Sequence, residues 1–286
     1  MNSTNTAITS LKALIFTDLD GSLLDHFTYN TEPANRLMVE LEHNKTPVIF
    51  CTSKTFSEVC AIRQQLNNHH PFIVENGAAI FIPKGYFPEH IENIFQSSHD
   101  PDYLQYSFCK AREYWLKTLE QIKPRYLGQF AHFHQMGAKA IVRATGLPLA
   151  GAMMANNRQF SEPIQWLGDT EIKKHFIDEM HRMGANIEEG SRFLHLSGHC
   201  NKGKALSFLF EQYQQQQDDP ILSIALGDGK NDIPMLDAAE HAVLIRSPVH
   251  PFPPINKEKL IKTDHYGPHG WVEGIQKTFQ INLITS

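Results

Sequence analysis

The sequence predicts an α/β fold in which a doubly wound parallel sheet is interrupted by an inserted α+β domain. Short apolar runs recur along the chain, and helix-like segments lie between them. Because these runs are apolar throughout instead of alternating with polar residues, they indicate strands covered on both faces, as in parallel sheets. A length of 286 residues is sufficient for two domains.

Five apolar runs are predicted to be strands of the parallel sheet. In chain order they are Leu14–Phe16, Val48–Cys51, Phe72–Val74, Ile221–Leu226 and Ala242–Ile245. Strands that alternate with helices in this way are typical of a Rossmann-like, doubly wound core.

Three segments next to those runs are predicted to be helices. Residues 32–44 follow Thr31, a candidate N-cap, and carry Pro33 in the first turn. Residues 56–67 and 203–216 also have a helical pattern. The second of these ends in a run of glutamines, which we interpret as a solvated helix end.

The middle of the chain has shorter apolar runs, with aromatic residues and prolines spread through them. Helices are predicted at 102–121, 139–145 and 171–183, and strands at 128–134 and 192–196. Because the parallel-sheet pattern resumes only afterwards, we expect an inserted α+β domain at 85–194. Residues 1–84 and 195–286 would then be the two parts of one core domain.

The composition argues against several classes of function. A net charge of −5, without any run of Lys and Arg, argues against a nucleic-acid partner or an anionic membrane surface. No segment approaches the ~20 apolar residues that cross a bilayer. Residues 1–10 are polar and lack the pattern of a signal peptide. We therefore expect a cytoplasmic protein.

The cysteines and most histidines do not form a recognisable metal motif. The four cysteines share no CxxC spacing and stand at Cys51, Cys60, Cys109 and Cys200. This spacing favours free thiols in a reducing cytosol over disulfides or a zinc site. His132 and His134 alternate as on a strand, which fits a metal-binding pair or, more commonly, a solvated strand face.

Four polar motifs directly follow a predicted strand or begin a predicted helix. They are DLDGS at 18–22, TSK at 52–54, KGK at 202–204 and GDGKND at 227–232. In open α/β sheets, ligands bind outside the carboxyl ends of the strands, so side chains from these loops are expected to converge.

Together these residue types predict a metal-assisted phosphoryl-transfer site. Carboxylate and carbonyl oxygens suit Mg²⁺, while hydroxyls, backbone N–H groups and a lysine suit phosphoryl oxygens. An aspartate can itself be the nucleophile. Each motif alone has an ordinary explanation: a solvated turn, a helix cap, surface charge, or part of a calcium loop that lacks its closing glutamate. Their joint occurrence in this order favours the catalytic interpretation.

The four motifs resemble motifs I to IV of the haloacid dehalogenase-like hydrolase superfamily, in its phosphatase branch. The resemblance implies that Asp18 is the nucleophile, Asp20 the general acid/base, and Ser53 a ligand of the phosphoryl group. It implies that Lys202 is the motif III lysine, for which Lys204 is a competitor.

The same resemblance implies a Mg²⁺ site. Its ligands would be the Asp18 carboxylate, the Asp20 carbonyl and Asp228, with Asn231 and Asp232 in supporting positions. Ser22 stands where the superfamily more often has Thr. The insertion is similar to the superfamily's C2-type cap, which selects the substrate.

Further segments resemble the mannosyl-3-phosphoglycerate phosphatases within that superfamily. They are CTSKT at 51–55, ENGA at 75–78, TGL at 145–147, Ala155–Arg158, SEP at 161–163, RFLH at 192–195 and GPHGW at 267–271. The resemblance implies that a small phosphorylated sugar is the substrate. The implied substrate-binding residues are Lys54, Asn76, Arg158, Glu162 and His195.

Alternatives remain open for several of these residues. Arg158 and Glu162 also fit a structural ion pair, His195 a structural histidine, and Trp271 either a sugar-stacking ring or a core aromatic. The alternative functions are a related sugar phosphatase acting on glucosyl-3-phosphoglycerate or a hexose phosphate, a phosphomutase, and a binding protein that has kept the fold but not catalysis. The sequence predicts no oligomeric state.

Overall fold

The computed structural model of the chain describes residues 12–190 and 192–285, and for residues 281–285 it describes the backbone alone. The segment 1–10, for which the sequence predicts no signal peptide, lies outside them. The chain divides into two compact units. The first comprises the described residues up to Thr52, Leu66–Tyr106 and those from Asn201 onward; the second comprises Ser53–Gln65 and Ser107–Cys200.

Nine strands form the sheet of the first unit. They are β1 (Ala13–Thr17), β2 (Val48–Cys51), β3 (Phe72–Val74), β4 (Ala79–Pro83), β5 (Gln96–Ser97), β6 (Tyr103–Ser107), β11 (Leu222–Gly227), β12 (His241–Arg246) and β13 (Leu260–Tyr266). The remaining four, β7 to β10, belong to the second unit.

The strand order in this sheet is β13-β12-β11-β1-β2-β3-β4-β6-β5. The six strands from β13 to β3 run parallel, whereas β4 is antiparallel to β3 and β5 is antiparallel to β6. Every residue of β1, β2, β3 and β11 is buried, as expected of strands covered on both faces. All five strands predicted from apolar runs are therefore confirmed, and so is the α/β fold class.

Within the described residues, five α-helices belong to the first unit. They are α1 (Ala34–His43), α3 (Glu89–Glu92), α8 (Lys202–Gln214), α9 (Ile233–Ala238) and α10 (His269–Thr285). Helix α1 buries Ala34, Leu37, Met38 and Leu41, a spacing that places all four on one face. Helix α8 begins at the predicted KGK motif, where the Asn201 side chain accepts a hydrogen bond from the Lys204 N–H and so caps the helix.

The second unit contains a four-stranded antiparallel sheet and five helices. The strands are β7 (Phe130–His132), β8 (Glu162–Trp166), β9 (Asn186–Glu189) and β10 (Leu194–Ser197), in the order β7-β8-β10-β9. The helices are α2 (Phe56–Gln65), α4 (Arg112–Ile122), α5 (Phe133–Thr145), α6 (Leu149–Asn156) and α7 (Thr170–Arg182). The α+β character predicted for the insertion is present in this unit.

Two apolar clusters hold the second unit together. One joins α4 and α7 to the sheet through Trp115, Leu119, Phe176 and Ile164, among others. The other packs α5 against α6. Complete burial of such side chains contributes roughly 1.5–3 kcal/mol each.

Two predictions in the middle of the chain are wrong in part. The helix predicted at 102–121 begins only at Arg112, because 103–107 forms strand β6, where aromatic residues favour a strand. The strand predicted at 128–134 ends at His132, and His134 already lies in α5. His132 and His134 are therefore not alternating residues of one strand.

The predicted domain boundaries at 84/85 and 194/195 differ from the division into compact units. Residues 85–106, including β5 and β6, belong to the first unit with the large sheet. Residues 53–65, which form α2, belong to the second. The assignment of 85–194 as a functional cap stays a prediction.

The four cysteines all lie in the described ranges, and none of them is in a disulfide. None of the helices in the described ranges combines the length and the apolar character needed to span a bilayer.

Candidate active site

The site of the first unit is built at the carboxyl ends of two neighbouring strands. β1 and β11 run parallel in register, with Thr17 beside Leu226. Asp18 follows β1 directly, and its N–H donates to the Leu226 carbonyl over 2.9 Å. Asp228 follows β11. Adjacent parallel strands therefore bring these two carboxylates to the same edge of the sheet, as the strand-end rule predicts.

Three buried carboxylates form a compact cluster at this edge. Ligand oxygens of Asp18, Asp228 and Asp232 lie within 4.8 Å of one another. Asp20 is half-buried beside them in the chain, in a turn where Gly21 has a φ of +76°. A Cβ at Gly21 would lie 2.7 Å from Asp228 Oδ2, so the turn can approach this carboxylate closely only because the residue is glycine.

Among the described residues, the ammonium group of Lys202 lies against this cluster. The Lys202 side chain is 0% exposed, and its Nζ donates to Asp18 Oδ1 and Asp232 Oδ1 over 2.6 Å each. As the first residue of α8, Lys202 is placed by the helix cap at Asn201. Lys204, the competitor for this role, is exposed. The structure thus brings together Asp18, Lys202, Asp228 and Asp232.

Asp232 uses both carboxylate oxygens within the protein. Oδ1 accepts from Lys202, and Oδ2 accepts from the backbone N–H groups of Asp228 (3.0 Å) and Gly229 (2.9 Å). This carboxylate therefore holds Lys202 and shapes the loop that carries Asp228. Its oxygens are less available to a metal than those of Asp228.

Burial and mutual repulsion perturb the ionisation of the cluster. Burial raises the pKa of Asp18 well above its usual range; Lys202 opposes this, while Asp232 and Asp228 add to it. Burial and then the charge of Asp232 raise the pKa of Asp228 to about 7. Burial disfavours the charged form of Lys202, but Asp18 and Asp232 together raise its pKa. Negative charge is thus in excess at this edge of the sheet.

This donor set fits a divalent cation. Three clustered carboxylates face one ammonium group, so a bound cation would relieve the excess negative charge. Hard oxygen ligands in small number are what Mg²⁺ uses in proteins, together with water and substrate oxygens. Asp18 and Asp228 would hold it, with the predicted contribution of the Asp20 carbonyl.

Two residues near Asp228 were missed by the sequence reasoning. The Asp228 carboxylate accepts a hydrogen bond from Ser247, and His250 Nε2 lies 3.4 Å from Asp228 Oδ2. Both residues follow β12, the next parallel strand beyond β11. The strand-end rule that points to Asp18 and Asp228 would also have indicated this loop.

The predicted residues Asn76 and Asn231 contact each other. Asn231 Nδ2 donates to Asn76 Oδ1 over 3.1 Å. Asn76 has a φ of +60° and its N–H donates to the Thr52 carbonyl. At the next residue, Gly77, a Cβ would lie 2.2 Å from the Asn201 carbonyl oxygen. The loop at 75–78 is therefore fitted against the N-terminus of α8.

Trp271 is a core residue. It is 0% exposed, and its indole Nε1 donates to Thr17 Oγ1 over 3.0 Å. Thr17 Oγ1 in turn donates to the Asp18 carbonyl over 2.7 Å. Trp271 therefore supports the end of β1 from within the core, and the sugar-stacking alternative is wrong.

The other predicted residues, Ser53, Lys54, Arg158, Glu162 and His195, belong to the second unit. Arg158 donates from Nη1 to Ser161 Oγ over 2.8 Å and from Nη2 to the Ser53 carbonyl over 3.2 Å. The second of these bonds connects the Arg158 segment to Ser53 of the TSK motif, just before α2 begins.

Glu162 is fully buried, and its ion-pair partner is Arg112, not Arg158. Its second oxygen accepts hydrogen bonds from His132 Nδ1 (2.9 Å) and the His134 N–H (2.7 Å). The alternative of an Arg158–Glu162 ion pair is therefore wrong. Hydrogen bonds from His132 and Arg112 more than offset the effect of burial and lower the pKa of Glu162.

The sequence patterns did not identify Arg112, although it hydrogen-bonds to residues on both sides of Arg158. It donates from Nη1 to the Asn156 carbonyl over 2.7 Å and from Nη2 to Asn156 Oδ1 over 2.9 Å. Its backbone N–H donates to the Gln159 carbonyl. Because Arg112 lies far from Glu162 in the sequence, only the fold reveals this pairing.

Comparison with known proteins agrees with these features. Residues 15–248 match the family described as haloacid dehalogenase-like hydrolase. A protein of Methanococcoides burtonii named glucosyl-3-phosphoglycerate/mannosyl-3-phosphoglycerate phosphatase is 35% identical over 93% of this chain and 96% of its own. A protein of the same name from Persephonella marina is 34% identical over 92% of this chain and 95% of its own.

Solved structures share the fold at low sequence identity. A protein of Thermotoga maritima has a TM-score of 0.64 at 17% identity, covering 94% of this chain and 97% of its own. The sucrose-phosphatase of Synechocystis, solved with sucrose and phosphate, has a TM-score of 0.60 at 13% identity, covering 94% and 98%. The chain therefore belongs to the haloacid dehalogenase-like hydrolase family and is a phosphoric monoester hydrolase.

Proposed function

We propose that this enzyme hydrolyses mannosyl-3-phosphoglycerate to mannosylglycerate and phosphate in a Mg²⁺-dependent reaction in the cytoplasm. The observation that carries the proposal is the contact of the buried Lys202 ammonium with Asp18 inside the carboxylate cluster. The names of the two relatives support the substrate class.

Asp18 is the proposed nucleophile, because it stands at the end of a rigid buried strand with Lys202 beside it. Its carboxylate oxygen would attack phosphorus and form an aspartyl-phosphate, while the bond from phosphorus to the leaving oxygen breaks. Asp20 would protonate that oxygen and afterwards take a proton from the water that hydrolyses the acyl phosphate. Lys202 would stabilise the charge that develops on the phosphoryl oxygens. Ser53 is the proposed further phosphoryl ligand.

Mg²⁺ held by Asp18, Asp228 and the Asp20 carbonyl would supply positive charge that favours the ionised carboxylates and offsets phosphoryl charge. Asn231 and Asp232 are proposed to support Asp228. For Asp232 this role agrees with its hydrogen bonds to the Asp228 loop.

The second unit is the proposed substrate-selecting domain. Lys54, Arg158 and His195 of this unit, together with Asn76 of the first unit, are the proposed substrate-binding residues, with a bidentate role for the Arg158 guanidinium. The burial of Glu162 and its pairing with Arg112 and His132 support a positioning role for it in place of direct contact with sugar hydroxyls.

The proposal is tested by phosphate release from mannosyl-3-phosphoglycerate, glucosyl-3-phosphoglycerate and simple hexose phosphates, with and without Mg²⁺. We expect the mannosyl substrate to have the highest kcat/KM and Asp18→Asn to abolish turnover. Asp237→Asn, at an exposed aspartate, is the matched control and should behave as wild type. Equal, slow turnover of all substrates would refute the specific assignment, and an active Asp18→Asn variant would refute the nucleophile.

Glucosyl-3-phosphoglycerate is the second candidate substrate, because the names of both relatives contain it. A higher kcat/KM for the glucosyl substrate in the same assay would replace the mannosyl assignment while leaving the mechanism unchanged.

A further inference from the structure

Two cysteines of the second unit lie close together although they are far apart in the chain. Cys109 stands near the beginning of the segment Ser107–Cys200, and Cys200 is its last residue. The Cys109 side chain interacts with the Cys200 thiol. Both side chains also lie against Gly198, which brings the two cysteines to the same turn.

Gly198 allows this approach. The Gly198 carbonyl oxygen accepts a hydrogen bond from the Cys200 N–H over 2.9 Å and another from the Cys200 thiol over 3.6 Å. A Cβ at Gly198 would lie only 2.6 Å from the Cβ of Cys109. A larger residue at 198 would therefore push Cys109 away from the turn that carries Cys200.

The two thiols differ in accessibility, and the environment of Cys200 lowers its pKa. Cys200 is 5% exposed, whereas Cys109 is half-buried. The hydrogen bond from Cys109 outweighs burial, and a second from Ser197 adds to it, so the pKa of Cys200 is lowered. By contrast, burial strongly raises the pKa of Cys51, which makes that thiol unreactive.

We propose that Cys109 and Cys200 form a reversible dithiol–disulfide site that reacts with low-molecular-weight disulfides of the glutathione class. The accessible Cys109 thiolate attacks one sulfur of the small disulfide, breaks its S–S bond and releases one small thiol. The Cys200 thiolate then attacks the Cys109 sulfur, forms the protein disulfide and expels the second small thiol. Two protein thiols and one small disulfide thus become one protein disulfide and two small thiols.

The disulfide would close a loop that contains almost all of Ser107–Cys200. Cross-linking residues so distant in sequence restricts the unfolded chain and stabilises the folded unit. Oxidation is therefore expected to raise the melting temperature of the protein, and a small thiol is expected to reverse the increase. This inference does not depend on the substrate proposed above.

The test is incubation of the full-length protein in glutathione redox buffers, followed by alkylation, intact mass measurement and peptide mapping. We expect oxidised wild type to lose the mass of two hydrogens and to yield one cross-linked peptide joining Cys109 to Cys200. Cys60→Ser, which removes the other half-buried cysteine, should behave identically. A persistent glutathione adduct on Cys109 in wild type, or a cross-link through Cys51 or Cys60, would overturn the proposal.

Two variants test the order of the steps. Cys200→Ser should accumulate a glutathione adduct on Cys109, because no second thiol resolves it. Cys109→Ser should leave Cys200 unmodified, since Cys200 is buried. Modification of Cys200 in the folded Cys109→Ser protein would show that Cys200 reacts first and would overturn the mechanism. The wild-type peptide map decides the pairing even if a variant fails to fold.

Discussion

At the residue scale, the ammonium group of Lys202 offsets the repulsion between the clustered carboxylates. Its ammonium group is the cation that contacts both Asp18 and Asp232, at 2.6 Å each. Removing one partner of a buried ion pair leaves the other charge uncompensated. Lys202 therefore stabilises the apo site as well as preparing it for an anionic substrate.

We expect Lys202→Met to lower kcat by about 10²–10³-fold, because it removes preorganised positive charge where phosphoryl charge develops. It should also destabilise the protein by roughly 3–5 kcal/mol, the usual effect of breaking a buried pair. Steady-state phosphate release and urea unfolding measure the two effects. Lys204→Met is the matched control, since Lys204 is two residues away and exposed. An equal loss of kcat in both variants would contradict this role for Lys202.

His195 makes the stability of the protein depend on pH. Burial, followed by the positive charge of Arg158, lowers the pKa of His195 from 6.5 to about 4. Between these values the unfolded chain binds a proton that the folded protein does not. Stability is therefore expected to fall as pH decreases from about 6.5 to 4.

In His195→Gln, the slope of unfolding free energy against pH should be shallower by up to about 1.4 kcal/mol per pH unit, the value for one proton. Denaturant unfolding at several pH values between 4 and 7 measures it. His175→Gln, at an exposed position of α7, should retain the wild-type slope. An unchanged slope in His195→Gln would show that this imidazole titrates normally in the folded protein.

At the scale of elements, two helices are capped in the same way but serve different units. Asn201 caps α8 by accepting from the Lys204 N–H, and Asp169 caps α7 by accepting from the Ile172 N–H. The first cap is adjacent to Lys202, which contacts the carboxylate cluster, whereas the second lies in the other unit. Substituting each capping residue in turn therefore distinguishes the effect of losing a helix cap from the effect of displacing Lys202.

Asn201→Ala and Asp169→Ala should each destabilise the protein by about 1 kcal/mol. Only Asn201→Ala should also lower kcat, because the start of α8 places Lys202 against Asp18. Thermal unfolding and steady-state kinetics of both variants measure this. Equal kcat values for the two variants at a temperature where both are folded would contradict the positioning effect.

Helices and strands were predicted correctly where the pattern of apolar residues agrees with the local sequence signals. The fully apolar runs that became β1, β2, β3, β11 and β12 are unambiguous, because parallel strands are covered on both faces. The predicted 102–121 helix begins too early, because residues 103–107 form β6 and pair with the two-residue strand β5. β13 was missed because this edge strand is mostly exposed and carries no long apolar run, and β4, which pairs with β3, was also missed.

At the scale of the whole molecule, the excess of carboxylates predicts a response to metal. Burial and the charge of Asp232 raise the pKa of Asp228 to about 7, so the apo site disfavours its own ionised form. A divalent cation that binds the folded protein alone stabilises it by mass action.

Mg²⁺ at about 100 times its Kd should therefore raise the melting temperature by roughly 5 °C, and EDTA should abolish the increase. The Asp228→Asn variant should show almost no response, whereas Asp237→Asn should respond as wild type. Thermal unfolding with and without Mg²⁺ measures this without any assay of activity. A full Mg²⁺ response in Asp228→Asn would remove Asp228 from the proposed metal site.

Sequence patterns alone predict the α/β class, the loops at the strand ends and the types of residue in the site. They do so because these features depend on local patterns: apolar runs, a helix start at Lys202, and acids directly after strands. The placement of Asp18 beside Asp228 also follows from the general rule for parallel sheets.

Which side chains pair with one another is visible only in the folded protein. Asp232 turned out to hold Lys202 and its own loop, Glu162 to pair with Arg112 and not Arg158, and Cys109 to contact Cys200. Each contact joins side chains whose separation along the chain carries no signal of their distance in space. Hydrogen bonds and charges act over a few ångströms, so their partners are set by packing and not by sequence neighbours.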